Sequence, residues 1–207
     1  MDDGRRWDAR HRDAPPAVPR APDGLTGLED ALPDGGRALD VACGLGAVTL
    51  WAAQRGFTVD ALDASPVAVA RLADQAVALG LAGPVRGRVA DLTGGLPADV
   101  TGPYDLVVCQ RFRDPAVLRS LAGLLAPGGL LVVTVLSEMG APAPSRFAAG
   151  AGELSALART SGHRVLRDVE GDGRATIVLR RTGPGPGSRR RVPREHDADE
   201  RHGRDSA

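Results

Sequence analysis

An apolar run that ends in two closely spaced glycines constrains this chain more than any other feature. Ala38-Leu39-Asp40-Val41-Ala42 reads as a short buried strand and Cys43-Gly44-Leu45-Gly46 as a tight turn; Val48, Leu50 and Trp51 start a helix that closes near Arg55 and Gly56. Glycine adopts backbone conformations that other residues avoid, and it lets a ligand come close to bare amide groups. A helix that starts at such a turn aims its unpaired N–H groups at it. At the carboxyl end of the first strand of an α/β sheet, that junction is a ligand site by geometry.

The rest of the chain alternates in the same manner. Phe57–Leu62 reads as a second strand with Asp63 at its end, and Ser65-Pro66 opens a helix carrying Val69, Leu72, Ala76 and Leu79. Ser is a favoured cap and Pro suits the first helical position. Val85–Ala90 is a third strand ending at Asp91, and Tyr104–Cys109 a fourth. Asp114-Pro115 opens a helix with Val117, Leu118 and Leu121 on its apolar side, which Pro127-Gly128-Gly129 is expected to break. Leu130–Leu136 is an unbroken apolar run, as in a strand covered on both faces. Glu153–Thr160 reads as a helix. Val165–Val169 and Ala175–Arg180 flank Gly171-Asp172-Gly173, a link too short for a parallel crossover, so this pair is an antiparallel hairpin. Leu25, Leu28 and Leu32 have helical spacing, and residues 137–150 form a loop with little pattern. The expected fold is α/β: a Rossmann-like, doubly wound, mostly parallel seven-stranded sheet with an antiparallel C-terminal hairpin strand and helices on both faces.

A chain of 207 residues with 43% hydrophobic content suits one domain with a substantial core. We expect that domain at 25–181, with its core motifs at 37–135. Residues 1–24 are rich in Pro, Arg and Asp and read as a flexible arm, a possible lid, with Trp7 as its large apolar residue. Residues 182–207 are Gly, Pro, Arg and acid, and are expected to be a disordered tail. A net charge of zero argues against an overall electrostatic grip on nucleic acid, which makes that partner improbable without excluding it. No stretch approaches the roughly 20 apolar residues that span a bilayer, and the start lacks an apolar signal core. A cytoplasmic protein is expected, with oligomeric state open. Cys43 and Cys109 each end an apolar run and read as small core residues rather than a disulfide. The four histidines are dispersed in sequence and form no metal-ligand pattern, so no metal is expected.

Asp40-Val41-Ala42-Cys43-Gly44-Leu45-Gly46 resembles the first motif of class I S-adenosylmethionine (SAM)-dependent methyltransferases, acid-x-Gly-x-Gly-x-Gly, with Ala42 where the first glycine is common. Tyr104-Asp105-Leu106 and Leu125-Ala126-Pro127-Gly128-Gly129 are similar to the family's motifs at the fourth strand and before the fifth. Trp7-Asp8-Ala9-Arg10 is similar to the arm of small bacterial methyltransferases related to the tellurite- and thiopurine-modifying enzymes, where the arm helps cover the cofactor. The resemblance implies SAM as cofactor and S-adenosylhomocysteine as product. It implies that the loop of Ala42, Cys43, Gly44 and Gly46 holds the methionyl part and that Asp40 helps bind its amino group. It implies that Asp63, with Ala64 beside it, accepts the ribose hydroxyls. Asp91 would accept from the adenine amine, with the Leu92 amide facing the ring.

The substrate should approach at Gln110-Arg111-Phe112-Arg113, after the fourth strand. These residues depart from the Asn/Asp-Pro-Pro-aromatic signature of enzymes that methylate base amino groups, which favours a small-molecule acceptor. Gln110 is a candidate at the cofactor's edge, and Gln110 or Arg111 could orient an anionic substrate. A sulfonium methyl is already electrophilic, so positioning supplies much of the rate and no catalytic residue is singled out. Two other readings stay open. A nicotinamide-binding Rossmann oxidoreductase is one, although Thr49 stands where its fingerprint has the third glycine. A SAM-binding protein without turnover is the other.

Overall fold

The computed structural model describes residues 3–143 and 145–183. Its centre is a sheet of β1 (Gly36–Val41), β2 (Phe57–Asp63), β3 (Val85–Val89), β4 (Tyr104–Gln110), β5 (Leu125–Leu136), β6 (Arg164–Gly171) and β7 (Arg174–Arg180). The strands lie in the order β3-β2-β1-β4-β5-β7-β6. The first five are parallel, and β7 inserts antiparallel between β5 and β6. This is the fold class expected. The strand order reverses between β1 and β4, so their carboxyl ends frame the crevice where ligands bind in open α/β sheets.

Strand alternation sorts the apolar residues to two faces. On one, Leu39, Val41, Val107, Cys109, Leu131 and Val133 pack against α4 (Pro115–Leu121) and α5 (Glu153–Ser161). On the other, Ala38, Val59, Leu106, Val108 and Val132 pack against Val48, Ala52 and Ala53 of α2 (Ala47–Gln54). Leu72 and Ala76 of α3 (Pro66–Ala78) close that face over Ala61. Each fully buried leucine or valine contributes about 1.5–3 kcal/mol relative to exposure. The helix starts follow their caps. Ser65 Oγ accepts from the Ala68 N–H ahead of Pro66, and Asp114 accepts from the Ala116 and Val117 N–H groups ahead of Pro115.

Three stretches differ from the sequence expectation. Leu25, Leu28 and Leu32 sit on two 3-10 turns, Asp23–Leu25 and Glu29–Ala31, rather than on one helix. Gly24 presses so closely on β5 that an added Cβ would lie 2.8 Å from Val132 Cγ1, and Gly27 has φ +74°; that close approach to the sheet takes the place of a helix. Pro127-Gly128-Gly129 does not end α4; it lies inside β5, which pairs Tyr104 with Leu125 before a register shift to Leu106 and Leu130. Gly129 is needed there because a Cβ would lie 2.8 Å from the Tyr104 carbonyl oxygen. The N-terminal stretch contains a ten-residue helix, α1 (Asp3–Arg12), packed on α3. The expected disordered tail lies, but for Thr182 and Gly183, outside the described residues.

Candidate functional site

The crevice is built from the tips of β1 and β2. After β1 the chain turns through Ala42 at φ +57°, Gly44 at φ +55° and Gly46 at φ +85°. The Cys43 N–H donates to the Leu62 carbonyl at 2.9 Å and the Gly46 N–H to the Cys43 carbonyl at 3.0 Å. A Cβ on Gly46 would meet Leu72 Cδ1 at 2.3 Å, so this glycine seats the turn on α3. A Cβ on Gly44 would meet only the His11 ring, at 3.5 Å. Asp63, 7% exposed, ties the tips together. Its Oδ2 accepts from the Gly44 N–H at 2.8 Å and its Oδ1 from the Ser65 N–H at 2.9 Å.

Asp40 lies beneath the turn, 4% exposed, and accepts from the Thr49 hydroxyl at 2.6 Å. Burial pushes its carboxyl up to about 7; the Thr49 bond opposes the shift and the nearby Asp63 adds to it. Burial also raises the thiols of Cys43 and Cys109, which removes both as thiolate nucleophiles.

The N-terminal segment runs along the carboxyl edge. The Asp8 carboxylate accepts from the Ser65 hydroxyl at 2.5 Å and the Val67 N–H at 3.2 Å, adding a second cap to α3. The Ser65 bond lowers its pKa. Arg71 of α3 donates to the His11 carbonyl, at the C-terminal end of α1. Trp7 stacks on His11 with centroids 5.9 Å apart, while the guanidiniums of Arg6 and Arg10 lie 5.7 and 5.6 Å from the Trp7 ring. Burial holds the His11 pKa below its ordinary value. Further on, the Ala17 N–H donates to Gln75 and the Arg20 N–H to the Ala47 carbonyl.

Beyond the tip of β3 the crevice widens into a cavity of about 640 Å³, within the usual range for small-molecule sites. Its floor is Ala64, Pro66, Val89, Asp91 and Thr93; α1 and the 137–150 loop roof it through Asp8 and Phe147. At the other side, Gln110 accepts from the Asp23 N–H at 3.2 Å. Arg113 forms a two-pronged pair with Glu153, its shortest contact 2.7 Å. Arg111 has φ +58° and an exposed side chain with no partner among the described residues.

The residues singled out from sequence thus fall into three groups. Asp40, Ala42, Cys43, Gly44, Gly46, Asp63 and Ala64 converge on the tips of β1 and β2. Asp91 is at the cavity floor, while Leu92 beside it is 3% exposed and packs into the core. Gln110 stands apart at the end of β4, bound to the N-terminal segment. Asp60, in the middle of β2, accepts from Arg37 and the Tyr104 hydroxyl away from the crevice. Sequence reasoning missed His11, Asp8, Thr49 and Phe147. Thr49 had a signal, a polar residue within the apolar start of a helix. Phe147 had another, as one of three phenylalanines in the chain, placed in a patternless loop. Asp8 had the arm motif Trp7-Asp8-Ala9-Arg10 around it, and His11 had none. Among the described residues no cluster of three or more His, Cys, Asp or Glu could hold a metal, and no helix is long and apolar enough to cross a membrane.

Residues 38–129 match the family described as a methyltransferase domain. The ubiquinone biosynthesis O-methyltransferase of Caulobacter sp. (strain K31) is 39% identical over 110 residues, covering 51% of this chain and 42% of that enzyme. The chain spans about half the length of the curated relatives it matches. TehB from Haemophilus influenzae superposes with a TM-score of 0.60 at 20% identity, over 70% of this chain and 57% of that one. Magnesium protoporphyrin IX methyltransferase (ChlM) from Synechocystis PCC 6803, solved with bound SAH, superposes with a TM-score of 0.58 at 17% identity, over 76% and 78%.

Proposed function

We infer that this chain is a class I SAM-dependent methyltransferase and that it transfers the methyl group of SAM to a small-molecule acceptor. The observation that carries the reading is the Asp63 carboxylate bound to both the Gly44 and Ser65 amides, a rigid acidic corner beside a glycine turn. Bare glycine backbone, a carboxylate at the tip of β2 and a cavity with one acid at its edge fit an aminoacyl nucleoside. The cofactor supplies an electrophilic methyl on sulfur. In this reading Ala42, Cys43, Gly44 and Gly46 present backbone to its amino-acid end, Asp40 beneath the turn accepts from the amine, and Asp63 and Ala64 meet the ribose. Asp91 and the Leu92 amide meet the base, and Gln110 bounds the crevice on the acceptor side. The chain's own task is to orient the nucleophile and exclude water, and the N-terminal segment laid over the turn serves the second purpose.

Arg111 is the group that faces the acceptor. Arg113 is committed to Glu153, whereas Arg111 is left without a counter-ion at the position where the substrate arrives. An anionic acceptor fits, and the likeness to an O-methyltransferase supports methylation on oxygen. The protein is read as soluble and cytoplasmic, with residues 1–24 as a lid and 25–181 as the catalytic domain.

The nicotinamide alternative is weakened by Thr49. The dinucleotide fingerprint uses a glycine there for close helix–strand packing, and here the Thr49 hydroxyl is bonded to Asp40 instead. Calorimetric titration should show binding of S-adenosylhomocysteine and no response to NAD; the reverse result rejects the reading. Incubation with labelled SAM and a panel of small hydroxylated acids then separates enzyme from sensor. Binding without transfer to any acceptor supports the sensor.

A further inference from the structure

The 137–150 loop, which helps to roof the crevice, leaves and rejoins the sheet at one neck. Ser137 pairs with Ala149 there. The Ala149 N–H donates to the Leu136 carbonyl at 2.7 Å and the Glu138 N–H to the Ala149 carbonyl at 3.0 Å. The outgoing limb is fastened to the β6–β7 turn: the Ser137 N–H donates to the Gly173 carbonyl at 2.9 Å and the Gly173 N–H to the Met139 carbonyl at 2.8 Å. Glu170 of β6 joins the two limbs, because its carboxylate accepts from the Ser137 hydroxyl at 2.5 Å and from the Gly152 N–H at 2.8 Å.

The returning limb has a second carboxylate at its root. Glu153, the first residue of α5, accepts from the Gly150 N–H at 3.2 Å through Oε2. The same oxygen accepts from Arg113 Nη2 at 2.7 Å, while Arg113 Nε lies 2.9 Å from Oε1. Arg113 follows the end of β4, so its side chain runs from the strand where the acceptor arrives to the root of the roof loop. The two side chains are 24% and 30% exposed, and a two-pronged pair fixes direction as well as distance. Without Arg113, Glu153 is free to turn to solvent and release the Gly150 amide.

We propose that Arg113 and Glu153 are positioning residues that hold the root of the roof loop against the exit of β4 and so set how long a ligand stays in the crevice. The inference rests on the reading of the crevice as a SAM site, and in it neither residue touches the cofactor. A partly exposed ion pair contributes little to overall stability, so its loss shows first as local opening of the loop it holds.

Two measurements on the full chain test this. Arg146 is exposed in the loop, so trypsin cleavage at that residue, followed by mass spectrometry, reports opening with no ligand present. Stopped-flow displacement reports release of S-adenosylhomocysteine. Arg113→Met and Glu153→Met should each speed both by about fivefold, and the double variant no more than either alone. Arg113→Lys and Glu153→Gln, which keep one prong, should speed them less, and association should stay within about twofold throughout. Ser155→Ala is the control: it loosens α5 from Asp168 of β6, its partner at 2.7 Å, without touching the neck, so both rates should hold. Equal acceleration in Ser155→Ala, or additive effects in the double variant, overturns the proposal by assigning the change to a general loosening of α5. Unchanged rates in Arg113→Met and Glu153→Met overturn it while leaving the SAM reading in place. An unaltered chain that binds no S-adenosylhomocysteine removes the SAM reading and the role in retention together.

Discussion

The two ends of the crevice are built differently. Over β1 and β2 everything is tied down: Asp63 holds two amides, Thr49 holds Asp40, and His11 lies against Gly44. Over β3 there is a cavity of about 640 Å³ with two bare apolar side chains in it. The closed end stores order before any ligand arrives, which lowers the entropy a ligand must give up there. The open end keeps its apolar surface for the ligand to bury. A molecule with a charged amino-acid end and a flat base meets both demands, and His11 lies beside the closed end, against Gly44.

The largest effect is expected at the bottom of the closed end. Asp40 keeps its proton up to about pH 7 in the folded chain because burial disfavours its charge. An unfolded chain gives up that proton near its ordinary value of 3.8. The folded state therefore holds more protons between about pH 4 and pH 7, and stability falls as pH rises through that window and levels off above it. Asp40→Asn removes the titration and keeps an acceptor for Thr49. Thermal melts should show the variant gaining on the unaltered chain with rising pH, by a few kcal/mol at pH 8, while its affinity for S-adenosylhomocysteine drops. A variant whose melting temperature follows the unaltered chain at every pH would mean that Asp40 is not the stressed group.

Asp63→Ala breaks the other tie. It leaves the Gly44 and Ser65 amides without their partner and takes away the ribose acceptor, so binding of S-adenosylhomocysteine should weaken by about 1–3 kcal/mol. Calorimetry on a folded variant measures this. Unchanged affinity would move the ribose off the tip of β2 and end the contrast between the two ends.

Much of this was legible in the chain. The alternation of apolar runs and helix caps at Ser65 and Asp114 dictates the sheet, because burial and capping are local and periodic. The acids at the strand tips follow from the same pattern, since a strand that ends at an acid puts it on the edge. What escaped is long-range. Asp8 caps a helix that starts 57 residues later, at Ser65, and no spacing rule links them. Leu25 and Leu28 have helical spacing, yet Gly24 pressed on Val132 gives a 3-10 turn. Phe147 joins the cavity only because Arg6 and the loop meet in space.

A third change tests whether the closed end gates entry. His11→Ala removes the ring over Gly44 and should speed association of S-adenosylhomocysteine by about fivefold, equivalent to about 1 kcal/mol. The docked ring is held below its ordinary pKa by burial, with Arg10 and Arg71 acting in the same direction and Asp63 and Asp8 against it. Protonation therefore disfavours docking, and acidification below about pH 6.5 should speed association in the unaltered chain but not in the variant. Stopped-flow traces that are identical for both proteins at pH 7 and pH 5.5 would show that the ring is no gate.

The smallest effect belongs to the turn itself. Ala42 holds φ +57°, a left-handed conformation that costs an L-residue with a Cβ and costs glycine nothing. The motif that this loop resembles has glycine at that position, and the conformation gives the reason. Ala42→Gly relieves the strain but adds freedom to the unfolded chain, so the net gain should be about 0.5 kcal/mol. Chemical denaturation would register it as a shift of midpoint at constant slope. The same change gives the tied end more freedom, so S-adenosylhomocysteine should bind slightly more weakly while the protein becomes slightly more stable. If stability and affinity rise together, the alanine was a burden on the site; if they part, its strain is what keeps the turn in shape for a ligand.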